Sequence, residues 1–315
     1  MMQSLRILDT IVETYSIVHY EQTNFMNRMH GGDMLFLLVE TGMLSAIKIS
    51  RGTTLLASID DVVFKKAVRL GDIIKVKAEV VYVGNTSAEV EIRAFDKGEE
   101  VVSAYATYVK VDDLLRPIPI NVKVEGISEE EIKKVEEAKK RREIRISRIK
   151  DRQKMRFYVE DPTEGLRFRI TTSIYVSPNL TYDGKIMSGG KLLKLMDDIG
   201  GVILLNYIGY DNKPDSGGVV TVAVKGLSFY SPIRINDIIH IRAGIVYVGN
   251  TSADVMINVI REDLNGFKEH VATAYFTYVR VNYQGKPIKM PEYNPETEKE
   301  KSLYQEALVR RGLAK

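Results

Sequence analysis

The sequence predicts an α+β protein made of two tandem copies of one unit, each an antiparallel sheet wrapped around a single apolar helix. The first observation is a repeat. Residues 72–92 (DIIKVKAEVVYVGNTSAEVEI) and 237–257 (DIIHIRAGIVYVGNTSADVMI) are identical at 14 of 21 positions, where chance gives about one or two. The second is that each copy has one long apolar helical stretch followed by four alternating, β-branched runs. A chain of 315 residues is long enough for two such units.

The elements follow the same order in both copies. A short alternating segment comes first, at 11–18 and again at 168–176. A Gly-Gly pair then begins a helix, at 31–48 and at 189–208. The four strands after each helix are predicted at 53–64, 72–83, 86–95 and 100–112 in the first copy, and at 218–229, 237–248, 251–262 and 269–282 in the second. Because the two sheets are alike, we expect them to pair edge to edge.

The domain organisation follows from these boundaries. We predict a first domain over 1–125, a charged linker helix over 126–165, a second domain over 166–293 and a C-terminal helix over 294–315. Ser128 and Glu131 form a capping box at the start of the linker helix. From 139 to 156 the linker has ten Lys or Arg and two acidic residues, which indicates a solvated connecting helix, with contact to a phosphorylated ligand or nucleic acid as the alternatives. The amphipathic tail helix could cover a sheet edge or form an oligomer contact.

Composition excludes several classes of protein. With 45 Lys and Arg against 42 Asp and Glu, the net charge of +3 gives no field for collecting nucleic acid or acidic membrane. The absence of cysteine excludes disulfides and Cys-ligated metal and favours an intracellular location, and four scattered histidines do not favour a metal site. Apolar runs are shorter than the roughly 20 residues a bilayer needs, and Asp9 and Glu13 interrupt any signal peptide. We therefore expect a cytoplasmic protein without nucleic-acid or membrane partners.

The loop before the first helix, Asn24 to Gly32, resembles the site motif of the hotdog-fold acyl-CoA thioesterases. In that family an Asn stands seven residues before a Gly-Gly pair, often with a His before the glycines, and an acidic residue stands eight after the first glycine. The segment from Phe64 to Ser87, with its Gly-Asp pair and Gly-x-Thr-Ser turn, adds to the resemblance. Because this resemblance extends over both halves of the chain, the chain is similar to the double-hotdog subgroup, in which two hotdog domains are fused.

The two copies differ at the motif positions. Asn24 stands seven residues before the first glycine pair, whereas Tyr182 has that place in the second copy. Asp197 stands eight residues into the second helix, where the first helix has Val39. Eight helical residues span about 12 Å, so an amide and a carboxylate of one copy could not act on one carbonyl. If the helices run antiparallel side by side, Asn24 comes near Asp197, which predicts one composite active site per chain.

The resemblance implies hydrolysis of acyl-CoA to a free acid and CoA, a reaction of fatty acid metabolism, with no metal and with CoA only as part of the substrate. The N–H groups of Gly31 and Gly32 would polarise the thioester carbonyl at a helix N-terminus. Asp197 would act as general base on water or attack the carbonyl itself, and Asn24 would orient the water or the thioester. The sequence leaves both routes open.

Other residues are candidates for substrate binding. His30 adjoins the glycines and could bond the substrate or cap the loop. Hydroxyl groups after each Gly-Asn turn could satisfy the turn or contact the pantetheine or nucleotide of CoA; they belong to Thr86, Ser87, Thr251 and Ser252. Glu40 and Asp198 lie one residue beyond the motif positions, a turn of about 100°, so we predict that they face away from the reacting groups.

Two alternative functions stay open. One is a non-catalytic acyl-CoA-binding module or sensor, which a salt bridge holding Asp197 away from the cleft would favour. The other is an acyl thioester hydratase or dehydratase, whose Asp and His pair in a longer loop is not matched by His30 and Asp33. The resemblance also implies a homo-oligomer, such as a trimer of double-hotdog chains.

Overall fold

The computed structural model describes residues 3–149, 152–213 and 216–314. The elements of the first unit are β1 (Gln3–Arg6), α1 (Ile7–Thr10), β2 (Val12–Ile17), α2 (Gly31–Ser50), β3 (Thr54–Phe64), β4 (Ile73–Val83), β5 (Ser87–Asp96), β6 (Glu99–Lys110), β7 (Val122–Glu125), α3 (Glu129–Ile149) and α4 (Arg152–Arg156). Those of the second are β8 (Arg169–Tyr175), α5 (Gly189–Tyr207), β9 (Gly218–Phe229), β10 (Ile238–Val248), β11 (Ser252–Glu262), β12 (Lys268–Val281) and α6 (Glu298–Arg310).

Ten strands form one antiparallel sheet in the order β2-β4-β5-β6-β3-β9-β12-β11-β10-β8. The two halves meet at β3 and β9, where Ser58 lies opposite Ser228 and Val63 lies opposite Ala223. The α+β class and the edge-to-edge pairing are therefore confirmed. The two-stranded parallel sheet of β1 and β7 was not predicted, because four-residue strands carry no measurable periodicity.

The two central helices and the ten strands of the main sheet begin and end within two residues of their predicted limits. Helix α2 turns its apolar side chains, among them Leu35 and Leu38, into the core and ends where Arg51 takes a left-handed conformation with φ of 51°. At the start of α5, the hydroxyl oxygen of Ser188 accepts a hydrogen bond from the N–H of Lys191 at 3.2 Å. Each buried leucine contributes about 2 kcal/mol to holding helix and sheet together.

Helices α2 and α5 lie side by side and run antiparallel. Glycines allow the close contact: a Cβ on Gly32 would lie 2.9 Å from the Cα of Lys194, and one on Gly190 would lie 3.2 Å from the Cα of Phe36. The Lys194 ammonium also pairs with Asp33 at 2.5 Å. The start of each helix therefore lies beside the middle of the other, as the composite site requires.

Helices α3 and α6 occupy matching places in the two units. The Arg141 guanidinium of α3 lies over the Tyr105 ring at 3.7 Å, and that of Arg310 on α6 lies over the Tyr275 ring at 3.6 Å. Arg141 and Arg145 also pair with Glu89 of the sheet. The cations of the predicted linker that face the sheet are thus matched by carboxylates of the same chain.

Replacing Lys134 with Met should destabilise the protein by about 2 kcal/mol at pH 7, because two largely buried carboxylates lose a shared cation. Lys134 Nζ lies 2.6 Å from Glu79 and 2.7 Å from Glu91, while Lys77, 2.9 Å from Glu79, retains part of the compensation. Burial raises the pKa of Glu79, but hydrogen bonds from Lys134 and Lys77 outweigh it and bring the pKa to about 2.

The pH dependence has a definite sign. Because the folded pKa of Glu79 lies below its ordinary value of 4.5, its contribution is complete above that pH and is lost as the pH falls toward 2. Denaturant unfolding should therefore give a larger difference in unfolding free energy between the wild type and Lys134→Met at pH 7 than at pH 3. Lys133→Met, on the exposed side of the same helix, is the control. Equal unfolding free energies for Lys134→Met and Lys133→Met at pH 7 would contradict a stabilising role of the Lys134 ion pairs.

Candidate active site

A cleft of about 490 Å³ opens at the seam between the two units. The first unit contributes the loop before α2 and the start of that helix, and the second contributes α5 and β9. The polar and glycine residues that line it near the seam are Asn24, His30, Gly31, Asp198, Gly201 and Thr221. The cleft is therefore composite, since neither unit alone supplies its walls.

Asp197 lies directly behind this wall and is fully buried. Its Oδ1 accepts a hydrogen bond from the Thr221 hydroxyl at 2.6 Å, and its Oδ2 lies 3.2 Å from Nδ1 of His30. A Cβ added to Gly31 would lie 3.1 Å from the same Oδ2. A carboxylate of the second unit is thus in contact with the first residues of α2, which belong to the other unit.

His30 carries a positive charge at neutral pH. Burial lowers the pKa of His30, but the hydrogen bond and charge of Asp197, with smaller effects from Asp198 and Asp33, outweigh burial and raise the pKa to about 8. Neutral His30 caps α2, since Nδ1 accepts from the N–H of Gly32 at 3.4 Å. A protonated Nδ1 cannot accept, so the ion pair with Asp197 releases the Gly32 N–H and leaves the Nε2–H as a second donor.

Asp198 lines the cleft, and its Oδ1 lies 3.6 Å from Nδ1 of His30. Burial raises the pKa of Asp198, the charge of His30 lowers it, and the charge of Asp197 raises it further. The prediction that Asp198 faces away is wrong: the 100° step points Asp197 into the buried seam and Asp198 toward the open cleft. Glu40 likewise faces the reciprocal seam, which is the second contact between the units, where the start of α5 lies beside the middle of α2. There it accepts a hydrogen bond from Ser188 at 2.8 Å.

Asn24 shapes the loop as well as lining the cleft. Its Oδ1 accepts hydrogen bonds from the N–H groups of Met26 at 2.9 Å and Arg28 at 3.3 Å. Because the oxygen is used within the loop, the amide NH₂ is the end of the side chain that can meet another molecule. Asn24 therefore lines the same cleft as Gly31 and His30, the two residues next to Asp197.

The structure does not bring the other predicted residues to the cleft. Gly32 faces the backbone of Lys194 instead of the opening. None of the four turn hydroxyls lines the cleft, namely those of Thr86, Ser87, Thr251 and Ser252. Ser252 Oγ instead accepts a hydrogen bond from Arg311 at 3.2 Å. Substrate contact by these residues stays a prediction.

Three cations line the rim of the cleft. Lys65 pairs with Glu100 and Lys66 pairs with Glu99, both at the surface. The guanidinium of Arg28 donates to the carbonyl oxygen of Gln284 at 3.0 Å. These long, positively charged side chains provide donors for an anionic group held at the entrance.

A second cleft of about 400 Å³ lies at the reciprocal seam. It lies at the start of α5, as the active-site cleft lies at the start of α2. Val39 stands there in place of Asp197, and Leu56 stands in place of Thr221. Sequence reasoning missed Thr221 and Asp198. Comparing the two copies along β3 and β9 as well as along the helices would have found the exchange of leucine for threonine.

Two further observations concern metals and membranes. Within residues 3–149, 152–213 and 216–314, no three side chains of the His, Cys, Asp or Glu type are grouped as a metal ion needs. In the same part of the chain, none of the helices combines the length and the apolar character needed to cross a bilayer.

Comparisons with known proteins agree with this architecture. The profile of the thioesterase superfamily matches twice, at 26–103 and 184–267, together more than half of the chain. The cytosolic acyl coenzyme A thioester hydrolase of Rattus norvegicus is 26% identical over 315 aligned residues, which cover 92% of this chain and 79% of the rat protein. Protein VdlD of Helicobacter pylori is 37% identical over 148 residues, 47% of this chain and 80% of that protein.

A solved structure from Lactobacillus plantarum, of a protein assigned as an oleoyl thioesterase, superposes with a TM-score of 0.57. The match covers 90% of this chain and 97% of that one at 10% sequence identity. At that identity the likeness bears on the fold alone, and it supports two hotdog domains in one chain.

Replacing Asp197 with Asn should lower the pKa of His30 from about 8 to 6.5 or below, because burial remains while its main partner loses its charge. The four histidines can be followed by ¹H–¹⁵N correlation spectra of the imidazole rings. In the wild type, the raised pKa adds stability that is complete below pH 6.5 and lost as the pH rises through about 8.

Asp254→Asn is the matched control, since that buried carboxylate pairs with Arg311 at 2.8 Å and does not contact His30. The control should leave the titration of His30 unchanged. An unchanged His30 titration in Asp197→Asn would show that the ion pair does not form.

Proposed function

We propose that the chain, which belongs to the thioesterase superfamily, hydrolyses acyl-CoA thioesters to a free carboxylic acid and CoA. Hydrolysis of acyl-CoA is the activity named for the rat relative that aligns with 92% of the chain. The reaction needs no resident cofactor, because CoA enters as part of the substrate. The active site is composite, with one working site in each chain.

One observation carries the proposal: the buried carboxylate of Asp197 contacts the first residues of a helix that belongs to the other unit. A buried carboxylate is costly unless it is paired or used. Among the described residues, its partners are two side chains of the cleft wall, His30 and Thr221. This placement weighs against a non-catalytic binding module, in which Asp197 would be turned away from the cleft.

The groups around Asp197 suit attack of water on a thioester. The carbonyl oxygen lies at the N–H of Gly31, where the helix dipole favours the negative charge of the tetrahedral intermediate. The amide NH₂ of Asn24 and the Nε2–H of His30 supply further donors from the same wall. A new bond forms between the water oxygen and the carbonyl carbon, the C–S bond breaks, and the CoA thiolate leaves and is protonated.

Burial of Asp197 favours the general-base route over direct attack. Within the described part of the chain, its Oδ2 is held by His30 alone, at 3.2 Å, so it keeps a lone pair that can take a proton. Because the carboxylate is enclosed by Gly31, His30 and Thr221, a water molecule can approach it more easily than an acyl carbon. The positive charge of His30 lies 3.2 Å from this carboxylate.

Asp197→Ala and Asn24→Ala should each reduce kcat for acyl-CoA hydrolysis by about 10²- to 10³-fold, since each removes a group that acts on the reacting atoms. Release of CoA thiol from acyl-CoAs of increasing chain length measures this and also identifies the preferred chain. Asp254→Asn is the control, because that buried carboxylate pairs with Arg311 and does not line the cleft. Turnover that survives loss of Asp197 would refute the site.

A second candidate, hydration of a 2-enoyl thioester, is favoured by one observation. The pair of His30 and Asp197 places an imidazole and a carboxylate together across the seam, although no such pair stands within one loop of the sequence. The same preparations should therefore be given a 2-enoyl-CoA, and the enoyl absorbance and the free thiol followed together. Loss of absorbance without release of thiol would replace hydrolysis by hydration.

We further propose that the chain forms a homo-oligomer, for example a trimer of double-hotdog chains. The two outermost strands of the ten-stranded sheet, β2 and β8, expose large apolar side chains, among them Tyr15, Ile17 and Tyr175. Such edges are normally covered in a stable protein. Light scattering after gel filtration should give a multiple of the 35.6 kDa chain mass, and Ile17→Lys should reduce it; a monomer would exclude the assembly.

A further inference from the structure

We propose that the second cleft, at the reciprocal seam, binds a free fatty acid without reacting with it. The cleft is built by the same elements as the active-site cleft, related by the pseudo-two-fold axis between the units. Its volume of about 400 Å³ is close to the 490 Å³ of the active-site cleft. Apolar side chains dominate its lining, including those of Val39, Met43, Leu55, Leu56 and Leu192. A cavity of this size and character suits a hydrocarbon chain.

The reactive groups of the first seam are absent from the second. The residues that replace Asp197, Thr221, His30 and Asn24 are Val39, Leu56, Ser188 and Tyr182. The glycine at the helix start remains, but a Cβ on Gly189 would meet the side chain of Leu56 at 2.9 Å, not a carboxylate. The space for a ligand is therefore kept while the chemistry is lost.

Two buried hydroxyl groups point to a ligand that carries oxygen atoms. Thr54 and Ser231 both line the second cleft and are 1% and 4% exposed. Neither hydroxyl oxygen has a hydrogen-bond partner among the residues that the structure describes. Leaving a buried hydroxyl unpaired costs about 1–3 kcal/mol, so a ligand that supplies a partner is favoured.

The rim of the second cleft disfavours CoA as the ligand. The three rim cations of the active-site cleft, Arg28, Lys65 and Lys66, are replaced by Ile186, Tyr230 and Ser231. Without them, the several negative charges of the CoA phosphates have only Arg156 as a cationic partner among the described residues that line this cleft. A ligand with several negative charges is therefore disfavoured here, whereas a ligand with one charge needs only one cation.

Among the described residues that line the second cleft, Arg156 is the only cation, and it can pair with one carboxylate. Its present partner, Glu269, is also held by Arg261, so Glu269 stays neutralised when Arg156 turns to a ligand. Glu40 is the one acidic residue of this lining within the part of the chain that the structure describes, and Ser188 donates to it at 2.8 Å. The proposal therefore places the fatty acid carboxylate at Arg156 and not beside Glu40.

The test counts fatty acid bound per chain by equilibrium dialysis with radiolabelled decanoate and palmitate. Ala57→Phe fills the second cleft, and Val222→Phe, the matching position on β9, fills the active-site cleft. We expect the wild type to bind two molecules, one as product in the active-site cleft, and each variant to bind one. Binding in Ala57→Phe equal to that of the wild type, or no binding by the wild type, would overturn the proposal.

A second variant covers the case in which Ala57→Phe does not fold. Arg156→Gln changes a side chain that is 42% exposed, and it should weaken palmitate binding at the second site about tenfold. The affinity for methyl palmitate, which has no charge, should not change. Equal losses for the acid and the ester, or no loss for the acid, would contradict the carboxylate contact.

A non-hydrolysable thioether analogue of palmitoyl-CoA separates the two ligands. It should bind once per chain, and Ala57→Phe should still bind it. Two molecules per chain would show that the second cleft accepts acyl-CoA and would overturn the assignment to a free acid. None of these binding measurements depends on turnover. Absence of hydrolase activity would therefore refute the proposed function without deciding whether the second cleft binds a fatty acid.

Discussion

The close contact between α2 and α5 is the constraint on which the rest of the structure depends. Gly32 and Gly190 let the two helices touch backbone to backbone, so that the start of each lies beside the middle of the other. Any side chain at these positions would separate the helices, and Asp197 would then no longer reach His30. The pairing of β3 with β9 imposes the same two-fold relation on the sheet, so helices and strands specify one geometry.

This two-fold relation produces two seams, and the duplicated chain allows them to differ. In a dimer of identical units, both seams would carry a buried carboxylate, each with its cost of desolvation. Here one seam has Asp197 with its partners, and the other has Val39, whose burial adds to stability. The fused chain therefore bears the desolvation cost of one buried carboxylate, whereas apolar burial at the other seam stabilises the core.

Periodicity and the repeat were sufficient to predict the central helices, the ten strands and their edge-to-edge pairing, because these features depend on patterns along the chain. The repeat also predicted that Asp197 lies beside the start of the first unit's helix, whereas joint action of Asn24 and Asp197 on one substrate stays a prediction. The ion pair between His30 and Asp197 could not be predicted, since it depends on side-chain directions across two units. Asp198 was misjudged for a related reason: a helix at a seam presents one side to the buried contact and the next side to the open cleft.

The scaffold around the seam is more symmetric than its chemistry. The Tyr278 hydroxyl donates to the backbone carbonyl of Asp197 at 3.0 Å, and the Tyr108 hydroxyl donates to that of Val39 at 2.8 Å. Both tyrosines are buried, and each fixes the helix against its sheet at the residue that faces the opposite helix. Since a backbone carbonyl accepts this bond whatever side chain it carries, either position can hold a carboxylate or a valine without loss of the anchor. A change of one residue can therefore add or remove reactivity at a seam whose geometry is already set.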